Sequence, residues 1–250
     1  MTRTPIQISP LPGLPEIRPG DDLARLILGA VRMQKFRVEA GDVFVVAQKI
    51  VSKAEGRIVI LEAVVPSTRA VKWAQEWGKD SRVIELVLRE AKRIIRMERG
   101  VIIAETSHGF VCANTGIDLS NAADGTAILL PEDPDASARA LKTRLGESLG
   151  VDIGVIISDT FGRPWREGLV NVALGVAGVA ALIDYRGERD ANGKLLQATI
   201  IALADELASA AELVMGKAGR VPVAIIRGVA RASNGSGRDL IRPEEKDLFR

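Results

Sequence analysis

The sequence predicts a mixed α/β or α+β fold, not a doubly wound parallel sheet. Segments of strand length and segments with helical apolar spacing are mixed along the chain without strict alternation. At 250 residues the chain can bury a large core, as one domain or two. Apolar residues make up 47% of it but aromatics only 4%, so Val, Ile, Leu and Ala fill that core. The most buried strand is expected at Ile153 to Ile157, interrupted only by Gly154. The chain is read around the residues next to it: Ser158, Asp159, Thr160, Phe161, Gly162, Arg163, Pro164, Trp165 and Arg166. These residues are expected at the strand's end, where an acid, a hydroxyl and two arginines reach solvent together. A carboxylate can hold a hard cation, and arginines can hold phosphate or carboxylate.

In chain order, Thr4 to Ser9 alternates and reads as a first strand, and Pro10 to Gly20, with four prolines and two glycines, as a rigid loop. Asp21 and Asp22 open a helix with Leu23, Leu26, Ile27 and Val31 at helical spacing. Val43 to Ala47 is a strand, Gln48 to Lys53 comes after it, Ala54-Glu55-Gly56 turns the chain, and Arg57 to Leu61 is another strand. Pro66-Ser67 starts a helix through Trp73 and Trp77. A longer helix is expected from Ser81 to Met97, with Ile84, Val87, Leu88, Ala91, Ile94 and Ile95 on one face. Val101 to Glu105 and Phe110 to Ala113 are strand-like, and Asn114 to Asn121 is a polar loop. Asp133-Pro134 starts a helix with a stripe of Ala138, Leu141, Leu145 and Leu149, which Gly150 ends. After the corner strand, the Gly-rich apolar run Leu169 to Ile183 reads as closely packed strands. Asp190 to Gly193 is a turn, Gln197 to Leu203 a strand, and a helix through Leu207, Ala211 and Val214 stops at Gly216. Val221 to Ile226 is a last core strand, Ser233 to Gly237 a flexible polar loop, and Pro243 begins a short helix.

Composition excludes several classes. Lys plus Arg exceed Asp plus Glu by only two, and the charges are interleaved, which argues against nucleic acid. One cysteine, Cys112, and one histidine, His108, allow neither an internal disulfide nor a Cys/His zinc site. A reducing cytoplasm is expected, and any metal must be held by oxygen, as magnesium, manganese or calcium would be. The N-terminus has no signal-peptide core, and the run Leu169 to Ile183 is too short to span a bilayer, so no membrane partner is expected.

Neither a P-loop nor a G-x-G-x-x-G fingerprint occurs, and the Gly-Lys pairs at Gly78, Gly193 and Gly216 lack the upstream glycine. Asp118 and Asp159 each come after an apolar segment. If they converge, their repulsion at about 4 Å is on the order of 4 kcal/mol at an effective dielectric near 20, which a divalent cation would remove. Equally, each can cap a turn. Lys49 and Lys53 can hold phosphates or form a solvated pair, and Arg163 and Arg166 can clamp an anion or bridge to Glu167 or Asp184. His108 reads as structural, Cys112 as a small core residue, and Asp205 and Glu206 as acids favouring a helix start.

Six stretches taken together resemble one family: PLPGLPEIRPGDDL (Pro10 to Leu23), DVFVVAQKIVSKAEGR (Asp42 to Arg57), NTGIDLSN (Asn114 to Asn121), ISDTFGRPWREG (Ile157 to Gly168), ADELASAAELVMGK (Ala204 to Lys217) and PVAIIRG (Pro222 to Gly228). In that order they resemble the coenzyme F420-0:L-glutamate ligase family, the gamma-glutamyl ligases of deazaflavin coenzyme biosynthesis. The resemblance implies an α+β (mixed α/β) fold of two interleaved lobes, one ligase domain over residues 1–250 with no fused flavin-binding domain, and an intertwined homodimer. It implies a GDP-forming ligase that phosphorylates the terminal carboxylate of F420-0 with GTP and lets L-glutamate displace the phosphate. Asp118 and Asp159 match the family's metal-binding acids, Thr160 a ligand for a second metal, and Arg163 joins the two acids as a catalytic candidate. Gly13, Leu14, Pro15, Glu16, Gln48, Lys49, Lys53 and Asn121 match positions that contact GTP. The implied cofactors are one or two Mg2+ or Mn2+ ions, with K+ as a further candidate. Lys217 departs from the pattern, standing where archaeal relatives carry a glutamate that helps hold the second metal. Two other readings stay open: another metal-dependent amide-forming or phosphoryl-transfer enzyme of the same fold, and a non-catalytic deazaflavin-binding subunit.

Overall fold

The computed structural model describes residues 5–120, 123–229 and 233–248. The first strand, β1 (Gln7–Pro10), is a sheet edge. Helix α1 (Leu23–Met33) starts where the Asp22 carboxylate accepts the Arg25 N–H at 3.0 Å, and it buries Leu23, Ile27 and Val31. Strand β2 (Val43–Ala47) has four wholly buried residues and runs directly into helix α2 (Gln48–Ala54), which carries Lys49 and Lys53. Strand β3 (Ile58–Ile60) then leads away, and helix α3 (Thr68–Trp77) runs from a Ser67 cap to a left-handed Gly78.

The helix expected over residues 81–97 is only half helical. Helix α4 (Ser81–Glu90) stops, and Ala91–Glu98 is strand β4, antiparallel to β5 (Val101–Thr106) across an Arg99-Gly100 turn with both φ positive. Register shifts at Ala91/Arg93 and Ile94/Arg96 explain the difference. Each adds a residue to the usual alternation of two, so Ala91, Ile94 and Met97 all face one core at a spacing that imitates a helix. Strand β6 (Val111–Ala113) completes this sheet, and β7 (Thr126–Ile128) pairs with β3.

Helix α5 (Pro134–Leu149) keeps its expected bounds, with Asp133 capping Ala136 N at 2.9 Å and Gly150 left-handed at its end. Strands β8 (Gly154–Arg163) and β9 (Arg166–Ala177) form a long hairpin, so β8 continues well past the expected end of the strand. Strands β10 (Ile183–Asp184) and β11 (Ile200–Ile201) form a short pair, and the latter is much shorter than the strand expected over 197–203, because helix α6 (Leu203–Met215) begins there. Strand β12 (Val223–Arg227) comes last.

The main sheet has the order β1-β12-β2-β8-β9, and only β2 and β8 are parallel neighbours. Residues of α1, α2 and α5 bury one face, against Phe44, Val46, Val155 and Ile157. Residues of α6 bury the other, against Val43, Val45, Ile156 and Ile226. Residues 58–120 and 123–128 form a smaller lobe around Ala70, Ile84, Val87, Ile102 and Ala104, inserted between α2 and α5. The interleaving of two lobes is therefore an insertion of one within the other.

The segment 233–237, expected to be flexible, is tied down. Gly237 N donates to the buried Asp135 carboxylate at 2.7 Å and Gly235 N to Val179 O at 3.1 Å. A Cβ at Gly237 would fall 2.0 Å from Leu174 O, so only glycine permits this approach to β9.

Candidate functional site

A cavity of about 930 Å³ opens where β2 ends beside β8. This is where a mixed sheet with a parallel pair can open to a ligand, because β2 turns into α2 while β8 runs on. Its walls are the 14–17 loop, the 47–53 corner, the 116–120 loop of the smaller lobe, residues 158–160, and the end of α6 with residues 215–218.

Strand β8 pairs with β2 only as far as Ser158. At the same point the β8–β9 register shifts, Ile157 facing Gly175 but Ser158 facing Ala173. Asp205 holds this bulge by accepting from Ala173 N at 2.9 Å, and Asp135 accepts from Val176 N at 2.9 Å. A rigid, buried strand thus delivers Ser158, Asp159 and Thr160 to the cavity. Burial pushes the Asp159 carboxyl up to about 6, and the charge of Asp118 adds to the rise against its Thr160 N–H hydrogen bond and the charges of Lys49 and Lys217. Ser158 Oγ and Gln48 Nε2 are buried at this corner with no hydrogen-bond partner among the described residues.

Asp118 comes from the smaller lobe, where its backbone bridges to Ile128. Lys49 reaches it from α2 at 2.5 Å and also donates to Ser120 Oγ at 2.7 Å, while Ser120 N donates to Asp118 at 2.6 Å. Burial alone would raise this carboxyl. Hydrogen bonds from Lys49 and Ser120 outweigh it, and Asp118 lies below the ordinary carboxylate range. One turn along α2, Lys53 pairs with Glu16 at 2.5 Å, and Leu14 and Pro15 line the same wall. Beyond Asp159, the Thr160 hydroxyl donates to Asn171 Oδ1 at 2.7 Å and accepts from Lys217. Lys217 Nζ also lies 3.4 Å from Asn171 Oδ1 and 3.4 Å from Glu212.

The F420-0:gamma-glutamyl ligase family model matches residues 13–228. The chain belongs to that family. Three curated relatives are named coenzyme F420:L-glutamate ligase. The Methanopyrus kandleri protein is 49% identical over 98% of this chain and 98% of its own length. That of Methanothermobacter thermautotrophicus is 49% identical over 95% and 96%, and that of Methanocaldococcus jannaschii 47% identical over 86% and 87%.

Most residues that the ligase family resemblance singles out converge on the cavity: Leu14, Pro15, Glu16, Gln48, Lys49, Lys53, Asp118, Asp159 and Thr160 all line it. Gly13 stands just outside that lining with φ 94, and a Cβ there would fall 2.0 Å from Met33 Cε, so it shapes the loop instead. Asn121 lies outside the described residues. Arg163 stands apart from this lining. It does not leave the sheet beside Asp159, because β8 stays extended between them for about 13 Å. Its guanidinium donates to Glu167 O at 2.6 Å, closing the hairpin tip, and Arg166 is exposed there too. His108 is structural as expected, its Nε2 3.0 Å from Pro131 O and Glu132 O. Cys112 is buried, its thiol pushed up to about 12 by burial first and the Asp159 charge second. Sequence reasoning placed Ser158 at the corner without giving it a role, and gave Asn171 and Glu212 none. Asn171 was the detectable one, a lone amide in an apolar run.

The ligase corner fits one hard cation. The Asp118 charge raises the cost of the Asp159 carboxylate, and an unpartnered buried hydroxyl, Ser158, lines the same cavity. Among the described residues no three carboxylate, imidazole or thiol groups converge, so hydroxyls would complete the set. A second ion fits less well, because the Lys217 ammonium already lies on Thr160. No helix among the described residues is long and apolar enough to cross a membrane.

Proposed function

We propose that this chain joins L-glutamate to coenzyme F420-0 in a GTP-dependent, GDP-forming reaction, with one Mg2+ or Mn2+ ion. The observation that carries this reading is the meeting of Asp118, Asp159, Lys49 and Lys53 in one cavity, drawn from both lobes. A carboxylate oxygen of F420-0 attacks the γ-phosphorus of GTP, the bond to GDP breaks, and an acyl phosphate results. The amine of glutamate then attacks the acyl carbon, the carbon–oxygen bond to phosphate breaks, and a proton leaves the nitrogen. Both steps gather anions, so charge stabilisation and positioning are the protein's main task. Lys53 and Lys49 face the cavity as counter-charges for the nucleotide phosphates. Asp118 and Asp159, with Ser158, would hold the divalent ion, which supplies charge neutralisation at the transferring phosphoryl group. The exposed Trp165 and Leu169 on the β8–β9 arm support a homodimer built through that arm.

The test is incubation of the pure protein with GTP, F420-0, L-glutamate and Mn2+. The expected products are F420-0 lengthened by a glutamyl residue, GDP and phosphate. Binding of F420-0 without GTP consumption would instead favour a non-catalytic deazaflavin-binding subunit.

A further inference from the structure

Behind the Asp118 loop, inside the smaller lobe, lies a second cavity of about 220 Å³. Two of the chain's three tryptophans, Trp73 and Trp77 of α3, line it. Around it, Trp77 is 38% exposed, Val101 45% and Leu119 50%, an apolar rim that folding leaves in water. The wall it shares with the larger cavity is a strained turn. Asn114 and Thr115 are both left-handed non-glycine residues, at φ 51 and 52, and Gly116 is next at φ 71. Asn114 and Leu119 face the small cavity, while Gly116 and Asp118 face the large one. One loop therefore presents an acid to the reacting centre and an apolar side chain to an aromatic pocket.

We propose that this cavity binds the planar aromatic end of the acceptor, with Trp77 as its stacking surface. The inference rests on the function proposed above and adds to it where the acceptor's ring system lies. A deazaflavin acceptor carries a flat tricyclic ring at one end and the reacting carboxylate at the other, joined by a flexible phosphorylated polyol. The small cavity has room for a ring and not for the whole molecule, and its shared wall leads toward Asp159 and Asp118. Its lining sets an apolar side, Val83, Ile84, Val87 and Met97, against Lys79, Asp80 and Glu98, which suits a ring system with one apolar edge and one polar edge. A guanine ring carries donors and acceptors around most of its edge and would leave the apolar side of this lining unmatched.

The experiment uses the Trp165→Phe background, so that emission reports Trp73 and Trp77 alone. F420-0 added without GTP should quench that emission. Trp77→Leu should weaken F420-0 binding about tenfold and raise its KM alike, with the KM for GTP unmoved and a smaller change in kcat. Trp77→Phe should recover most of the loss. A folded Trp77→Leu protein with unchanged F420-0 affinity and KM would overturn the subsite and leave the ligase reading standing. A rise in the KM for GTP instead would assign the pocket to guanine and overturn it too. Loss of dimer in Trp77→Leu, with F420-0 binding intact, would make the patch a subunit contact. A wild-type protein that neither binds nor extends F420-0 would remove the ligase reading and the subsite together.

Discussion

The two acids of the site reach it from different lobes and are held in opposite ways. Asp159 stands on strand β8 of the larger lobe, where burial dominates and pushes its carboxyl up to about 6. Asp118 stands on a loop of the smaller lobe, where Lys49 and Ser120 outweigh burial and hold its carboxyl low. The difference separates two design routes. A rigid strand can place a costly charge without a cationic partner, because its apolar neighbours hold the backbone. A loop needs the partner to hold both charge and position. On this comparison Asp159 is the acid whose cost an external cation would relieve, and Asp118 already has an internal one in Lys49.

The largest expected effect is at Asp159. Asp159→Asn should stay folded yet lose glutamate addition by a hundredfold or more, about 3 kcal/mol of transition-state stabilisation. Circular dichroism and product mass spectra check the two halves, and near-normal turnover would break the contrast between the acids. Next, Lys49→Met should lower turnover about ten- to a hundredfold, as loss of a charge-assisted hydrogen bond would. It should also let the Asp118 carboxyl rise, which side-chain carbon NMR titration would show. An unmoved Asp118 would mean that the lysine is not what holds it low.

A third effect sharpens the comparison through stability. The raised Asp159 carboxyl favours the folded state when protonated. That contribution is fully present below about pH 4, the ordinary value, and is lost as pH rises through about 6. In metal-free protein at pH 7, Asp159→Asn should therefore be more stable than wild type, by about 1–3 kcal/mol given that the carboxylate keeps some solvent access. The gain should vanish at pH 4, and melting temperatures at the two pH values decide it. Asp118→Asn should show no such gain. The smallest functional effect is at Cys112. Its thiol, pushed up to about 12, should be alkylated on the order of a thousandfold more slowly at pH 8 in the folded protein than when unfolded. Cys112→Ser should leave turnover nearly intact, and its loss in a folded variant would place the thiol in the chemistry.

Legibility in the sequence tracked the range of the forces involved. Helix α5 was readable at both ends because Asp133, Pro134 and Gly150 act within a few residues of the helix they bound. Strand β2 was readable because a five-residue apolar run admits one local reading. Strand β4 was not, since its two bulges made a strand's apolar face repeat like a helix's, and only pairing with β5 chose between them. Arg163 was misplaced for a similar reason. Nothing in residues 158–163 says that β8 loses its partner β2 yet keeps β9.

By itself the sequence determined the oxygen-only character of any metal site, since one histidine and one cysteine leave no other donors. It also determined the family, through motifs whose residue types the chemistry needs in that order. Only the tertiary structure decided which acid is buried without an ion pair and which is paired with a lysine, that Lys217 lies on Thr160, and that two tryptophans open beside the Asp118 loop. The physical reason is that charge, burial and enclosure are properties of surroundings. Those surroundings are assembled here from segments far apart along the chain, Lys49 meeting Asp118 and Thr160 meeting Lys217 only once two lobes and two sheet faces have packed.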